Sequence, residues 1–408
     1  MGIFQAADIL LPRTGEMESW AVIAVDQFVS QPEYWEEASH LAGDGPSALK
    51  LVLPEAFLQE DDSAAISAIN ANMARYLNEQ VFALYPKSYI YVERTLLDGS
   101  IRQGIVGQLD LEHYDYHPGS TTAIRATEQT VPERIPPRVQ IRKDAPLELP
   151  HVLLLCDDGK KQLIETAAQN REKLPCLYDF ELMAGGGHIR GFLLTGSYAD
   201  AIDRALSAYE ARTKARLGEN AVLYAIGDGN HSIAAAKACY ENLKKANPGK
   251  DLCSHPARYA LAELENIHHD AQRFEPIHRL VKNTDPNALL QALNSYTCPD
   301  GQPVTWVAGS SRGTVYLDCS DGQLPVGVLQ HFLDAYKQNA PQDVDYIHGE
   351  QDLQELSAKP NTIGFLLPAI DKDSFFAGIV AGGTLPRKTF SMGHAREKRY
   401  YLEARKIK

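Results

Sequence analysis

The stretch Ala221–Ser232, AVLYAIGDGNHS, followed by IAAAKACYENLKK over 233–245, constrains this chain more than any other. Val222–Ile226 reads as a short buried strand, and Ile233–Lys245, with three consecutive alanines, as a helix. Gly227, Asp228, Gly229, Asn230, His231 and Ser232 must then form a strand-to-helix turn. A helix start leaves its first N–H groups without intrahelical acceptors and carries partial positive charge, so it can seat a phosphate without any basic side chain. Asp228 would repel such a ligand unless it holds a metal ion or accepts a proton. His231 has the chemistry of a phosphate donor or an acid–base group. In the simpler account Asp228 or Asn230 caps the helix and His231 packs beside it.

With 408 residues and 44% hydrophobic content the chain can bury a large core, in two or three domains. A formal net charge of −13 argues against general attraction to nucleic acid or to an anionic membrane. No apolar run approaches the roughly 20 residues needed to cross a bilayer. The start, MGIFQAADILLPRTGE, has no secretory pattern, so the expected location is the cytoplasm. The six scattered cysteines form no C-x-x-C pair and read as reduced and buried.

Residues 1–85 read as mostly helical, with helices over Pro32–His40 and Ser63–Gln80. Strands are expected at Ser88–Arg94, Ile101–Asp110 and His151–Cys156. The proline-rich stretch Thr121–Pro150 reads as a long loop or lid, and residues 199–216 as an amphipathic helix. Beyond residue 300, strands Thr314–Leu317, Asp345–His348 and Ile363–Leu367 alternate with helices Val326–Lys337, Gln351–Ser357 and Lys372–Ala381, the pattern of βαβ units. The expected division is 1–285, an α+β core carrying the turn, and 286–408, an α/β region lending a basic segment to the same site.

Other segments offer polar groups. RATEQTVPERIPPR presents Glu128, Arg134 and Arg138, a carboxylate and two forks suited to phosphate. His278 and Arg279 could contact a ligand, or Arg279 could be a packing residue. LPRKTFSMGHAREKRY is a basic island in an acidic chain, in which Arg387, Lys388, Thr389 and Ser391 could complete an anion site. Adjacent His268 and His269 lack ligand spacing. Asp26 could enter a site, though a turn aspartate is the simpler account. Walker A, H-E-x-x-H, G-x-S-x-G and protein-kinase patterns are absent.

The strand–GDGNH–helix element resembles the D-G-H-H-R or D-G-N-H-R element of the ParB and sulfiredoxin-like superfamily, which includes CTP-binding partition proteins, sulfiredoxins and free-serine kinases. The whole chain resembles the bacterial family of domain of unknown function one-thousand-fifteen. The resemblance runs through AVDQFVSQPEYWEE at 24–37, GIVGQLDLEHYDY at 104–116, RATEQTVPERIPPR at 125–138, IGDGNHSIAAAKA at 226–238, PIHRLV at 276–281 and LPRKTFSMG at 385–393. It implies a mixed α/β fold: a ParB/sulfiredoxin-like mixed-sheet core with a C-terminal βαβ-type region. Ser232 stands where the superfamily carries a phosphate-clamping arginine, and Thr127 where the family has histidine.

The expected function is a nucleotide-dependent kinase or phosphotransferase for a small polar metabolite. Asp228, His231 and Glu128 are its catalytic candidates, with Asp228 or Glu128 holding Mg²⁺. Gly227, Gly229, Asn230, Ser232, Arg134, Arg138, His278, Arg279, Arg387 and Lys388 are candidates for holding a nucleotide such as ATP. The expected partner is a small phosphorylated ligand, with no nucleic acid and no membrane, and a homodimer is compatible with it. The alternative is a non-catalytic regulator that binds a nucleotide or metabolite.

Overall fold

The structure is a computed structural model that describes residues 2–13, 17–117, 119–128, 130–338, 342–382, 385–386 and 388–408. Contacts divide the chain into two compact units. Unit 1 comprises Met1–Ala126, Thr130–Gln272 and His394–Lys408, and unit 2 comprises Thr127–Gln129 and Arg273–Gly393. The division therefore differs from the boundary expected at 285/286. Phe274–Lys282 is a strand of unit 2's sheet, and the last fifteen residues return to unit 1.

Unit 1 is built on a mixed sheet. In chain order its strands are β1 (Phe4–Gln5), β2 (Ala7–Pro12), β3 (Phe82–Thr95), β4 (Ile101–Asp110), β5 (Tyr114–Asp115), β6 (Ile124–Ala126), β7 (Leu153–Cys156), β8 (Cys176–Glu181), β9 (His188–Leu194), β10 (Tyr224–Asp228) and β11 (Tyr259–Asn266). Across the sheet the order is β8-β9-β3-β4-β11-β7-β10-β6-β5, with β1 on β4 and β2 on β3. Pairing is antiparallel except at β11/β7, β10/β6 and β6/β5. The region expected to be mostly helical thus begins with two strands. They are short, two and six residues, and too brief to show a period.

Side chains on successive residues of a strand point to opposite faces, so the sheet has two cores. Tyr89, Tyr91, Ile105, Leu264, Leu154 and Tyr224 pack on one face with helix Ser197–Leu217 and the apolar side of helix Asn230–Ala246. Ile90, Val92, Val106 and Leu261 face the other core, with Trp20, Trp35, Tyr76 and the C-terminal residues Tyr400, Tyr401 and Leu402. The proline-rich stretch is not a lid without structure, because Ile135–Lys143 is a helix. Its prolines fall in the first turn, where a missing N–H has no intrahelical partner to lose.

The second face also carries charge. Arg399, 4% exposed, donates to Glu263 and Glu403 at 2.8 Å each and to the Pro150 carbonyl, and Tyr178 donates to Glu403. Arg102 pairs with fully buried Glu265 at 2.9 Å. Arg405 and Arg142 meet Glu148, which burial pushes up and the two guanidinium groups pull below the usual carboxylate range. Main-chain pairing reinforces these contacts: Tyr400–Tyr401 adds to Val22–Ile23, and Arg405–Lys406 to Leu147–Glu148.

Unit 2 holds a second sheet of β12 (Phe274–Lys282), β13 (Thr297–Ala308), β14 (Ser311–Leu317), β15 (Asp343–His348), β16 (Thr362–Leu366) and β17 (Phe390–Met392). Its order is β14-β13-β16-β12-β15, with β17 on β12, and every pair is antiparallel. The expected alternation is present, but the helix-linked strands β14, β16 and β15 are not neighbours. They run the same way with β13 and β12 inserted between them: the crossover from β14 to β15 passes β13, β16 and β12, and the return from β15 to β16 passes β12.

Arg399→Met should cost about 3–5 kcal/mol, because it leaves two buried carboxylates without their cation. Arg75→Ala, at the exposed pair with Glu79, should cost under about 1 kcal/mol. Urea denaturation of the two variants checks the contrast.

Candidate functional site

Strand, turn and helix follow in the expected order, but the strand runs to Asp228 and the helix starts at Asn230, so Gly229 alone lies between them. Ile226 faces Leu154 and Asp228 faces Leu153, so Gly227 is the extra residue of a bulge that re-aims the end of the strand. Gly229 follows in the left-handed region at φ 80°, and helix Asn230–Ala246 starts there without a side-chain cap. A Cβ on Gly229 would lie 3.1 Å from Val152 Cα, so this position needs glycine for conformation and for space. The helix is therefore entered without side-chain capping by Asp228 or Asn230. The Asn230 Oδ1 atom is buried and has no hydrogen-bond partner among the described residues. Ser232 is half-buried in the first turn.

Asp228 is engaged on both oxygens. Oδ1 accepts the Gly229 N–H at 2.9 Å, and Oδ2 lies 3.3 Å from Lys398 Nζ. The Lys398 side chain is 13% exposed and that of Asp228 20%. His231 Nε2 accepts the Val131 N–H at 3.1 Å, which ties the proline-rich segment to the turn and occupies that nitrogen's lone pair.

A second set of groups in unit 1 surrounds Lys398. Tyr401 Oη accepts the Val25 N–H at 3.3 Å and lies 2.8 Å from His151 Nδ1. The other ring nitrogen, His151 Nε2, faces Asp26 Oδ2 at 4.0 Å. Burial pushes the Asp26 carboxyl up, but His151, the Gln27 amide and Lys398 outweigh it and hold the group below the usual carboxylate range. Arg138 pairs with Glu55 and donates to the Arg134 carbonyl at 2.7 Å. Burial lowers the Arg138 pKa, while Asp26 and Tyr401 oppose the shift. Arg138 is thus neutralised by a neighbour, and Arg134 is exposed at the start of its helix.

The remaining candidates lie in unit 2. Glu128 bridges to Leu385, and its Oε1 accepts the Thr389 N–H at 3.3 Å. His278 is buried, with Nδ1 accepting the Leu367 N–H at 3.1 Å, and burial lowers its pKa. Arg279 is 0% exposed and donates to Gln330, Ile277 and the Lys388 carbonyl. Burial lowers its pKa to about 10, and its guanidinium stacks 4.6 Å from the Tyr346 ring. The contacts of His278 and Arg279 lie within unit 2, as in the packing account of Arg279. Lys388 is exposed, with its ammonium 5.8 Å from the other contact of that stack, the Tyr346 ring. Arg387 lies outside the described residues.

The expected Mg²⁺ ligands do not form a preset site. Among the described residues no three His, Cys, Asp or Glu side chains converge as metal ligands. Asp228 is paired with Lys398, Asp26 with His151 and Glu55 with Arg138. His151, Lys398 and Tyr401 were not singled out by sequence. Their signals were a histidine just ahead of an apolar strand and the end of the basic island.

Gly229→Ala should destabilise by about 1–3 kcal/mol, through left-handed strain plus contact with Val152. Gly249→Ala has the same φ, 80°, but open space, so it should cost only the conformational part. The difference between their urea midpoints reports the contact. Asp26 adds a pH dependence. Its folded pKa is depressed, so its stabilisation is full above the unfolded value of about 3.9 and is lost as pH falls through the folded value. Asp26→Asn should therefore lower stability at pH 6 and converge with the parent at acid pH.

Several solved structures share part of this course. A variant of free serine kinase in complex with ADP is 12% identical at TM-score 0.38, covering 74% of this chain and 91% of that one. SbnI from Staphylococcus aureus, with a C-terminal truncation, is 11% identical at TM-score 0.36, covering 72% and 85%. A conserved hypothetical protein from Pyrococcus furiosus is 11% identical at TM-score 0.34, covering 72% and 90%. Scores of this size mark a loose correspondence. No curated protein matches the chain in sequence. The model of the family described as Protein of unknown function (DUF1015) matches residues 8–406, nearly the full length, and the chain belongs to that family.

Proposed function

We propose that the turn at Gly227–Ser232 binds the phosphates of a nucleotide, and that unit 1 transfers a phosphoryl group to a hydroxyl of a small polar metabolite. The observation that carries the reading is the helix start at Asn230, entered through left-handed Gly229 with no side-chain cap and with the Lys398 ammonium at its mouth. Main-chain N–H groups of the first turn supply donors, the helix dipole favours an anion, and no described side chain caps that end. The unpartnered Asn230 Oδ1 adds an acceptor for a ligand hydroxyl or amine.

Asp26 is the proton acceptor in this reading, since its Oδ2 lies 4.0 Å from His151, beyond a direct hydrogen bond, whereas both oxygens of Asp228 hold close donors. The acceptor oxygen attacks the terminal phosphorus, its proton passes to Asp26, and the bond to the departing diphosphate breaks. His151, oriented by Tyr401, holds the ionised Asp26 in place. Lys398 and the helix start stabilise the charge on the transferred group. The donor set leaves no step to Mg²⁺ held by the protein itself; an ion arriving on the phosphates would take few protein ligands. One observation favours a regulator that binds without turnover: Ser232 brings no charge to the position after His231.

Calorimetry and thermal shift with ATP, ADP, CTP and pyrophosphate, each with and without Mg²⁺, test the reading. Stabilisation by at least one is expected, and none by any of them overturns it. With a mixture of hydroxylated amino acids, sugars and polyols, the enzyme should release ADP from ATP. Asp26→Asn should lower that release by about 10²–10⁴ while nucleotide still binds. Binding without release by the parent protein supports the regulator.

A further inference from the structure

Resting on that reading, we infer that Lys398, delivered by the C-terminal segment, is the cation that recognises the ligand's diphosphate, and that Asp228 is its internal counter-ion, displaced from it when the ligand binds. A phosphate seat of this kind gains from a charged partner, yet position 232 is serine, and Arg138 is already paired with Glu55. Lys398 stands 3.3 Å from Asp228, on the residue before the glycine that opens the helix.

Its surroundings are built to hold it there. The Lys398 side chain is largely buried, at 13% exposure, so leaving its charge without an anion would be costly. Asp228 supplies that anion, and the charge of Asp26 reinforces it. The neighbouring residue, Arg399, anchors the backbone through Glu263, Glu403 and the Pro150 carbonyl. Tyr401, three residues on, is fixed by Val25 and His151. Lysine at this place is therefore a tethered point charge whose stem is fixed and whose head has one anionic partner in direct contact among the described residues. A diphosphate carries more charge than one carboxylate and can take up the main-chain donors as well, so it competes with Asp228 for the ammonium.

The prediction has opposite signs at the two partners. Lys398→Met should weaken binding of ADP and of inorganic pyrophosphate by about ten- to a hundredfold, the size of one lost charge-assisted contact. Lys398→Arg should recover most of that affinity. Asp228→Asn removes the competitor and the repulsion, and should tighten both ligands several-fold, by about 3–10 times. Adenosine, which has no phosphate, should bind the parent and Lys398→Met alike. These are calorimetric titrations of the full chain, with thermal unfolding to confirm that each variant is folded. A merely structural lysine would lower stability and weaken ligands in both the Lys398→Met and Asp228→Asn variants, and that result overturns the inference. So does ADP affinity unchanged by Lys398→Met. Failure of the parent protein to bind any phosphate compound instead removes the proposed function itself, and the inference with it.

Discussion

Arg399 is the contact on which unit 1 depends. Its guanidinium reaches Glu263 in the sheet and Glu403 in its own segment, and all three side chains are removed from water. Taking each such ion out of water costs several kcal/mol, which only close pairing with further hydrogen bonds can offset. The network offsets it by spreading contacts: Tyr178 donates to Glu403, the Pro150 carbonyl accepts from Arg399, and Arg405 and Arg142 repeat the pattern at Glu148. The consequence is positional, since a chain end of a few residues is drawn into the interior of a sheet laid down hundreds of residues earlier.

That placement explains why the candidate site draws on so much of the chain. The turn at Gly227–Ser232 supplies main-chain donors. Asp26 comes from the N-terminal part, His151 from just before β7, and Lys398 and Tyr401 from the segment held by Arg399. The electrostatics follow from mixed charge in little space: burial disfavours an ionised Asp26, and His151, Gln27 and Lys398 outweigh that penalty. Two of the arginines named as ligand candidates have partners within their own units. Arg279 fills the interior of unit 2 against Tyr346, and Arg138 pairs with Glu55.

Local periodicity made much of the fold legible. Helices at 32–42, 63–78 and 197–217 and the strand Ile101–Asp110 follow from repeats of apolar residues within one element. The strand, turn and helix from 224 to 246 follow likewise. The helix at 135–143 was obscured because proline opposes a helix interior but suits a first turn, and composition does not distinguish the two. The strands β1 and β2 were obscured because their length is too small to show a repeat.

By itself the sequence determined the turn: two glycines between an apolar strand and an alanine-rich helix leave few conformations, and these depend on neighbours only a few residues away. It also determined the charge balance and the alternation of strands and helices beyond residue 300. Only the tertiary structure decided which strands pair, with β12 and β13 inserted among the helix-linked strands of unit 2. It alone decided that Lys398, rather than an arginine beside His231, reaches Asp228. The reason is range. Backbone conformation is set by local sterics and hydrogen bonds, whereas the partner of a charge is chosen by which distant segments the packing of a common core brings together.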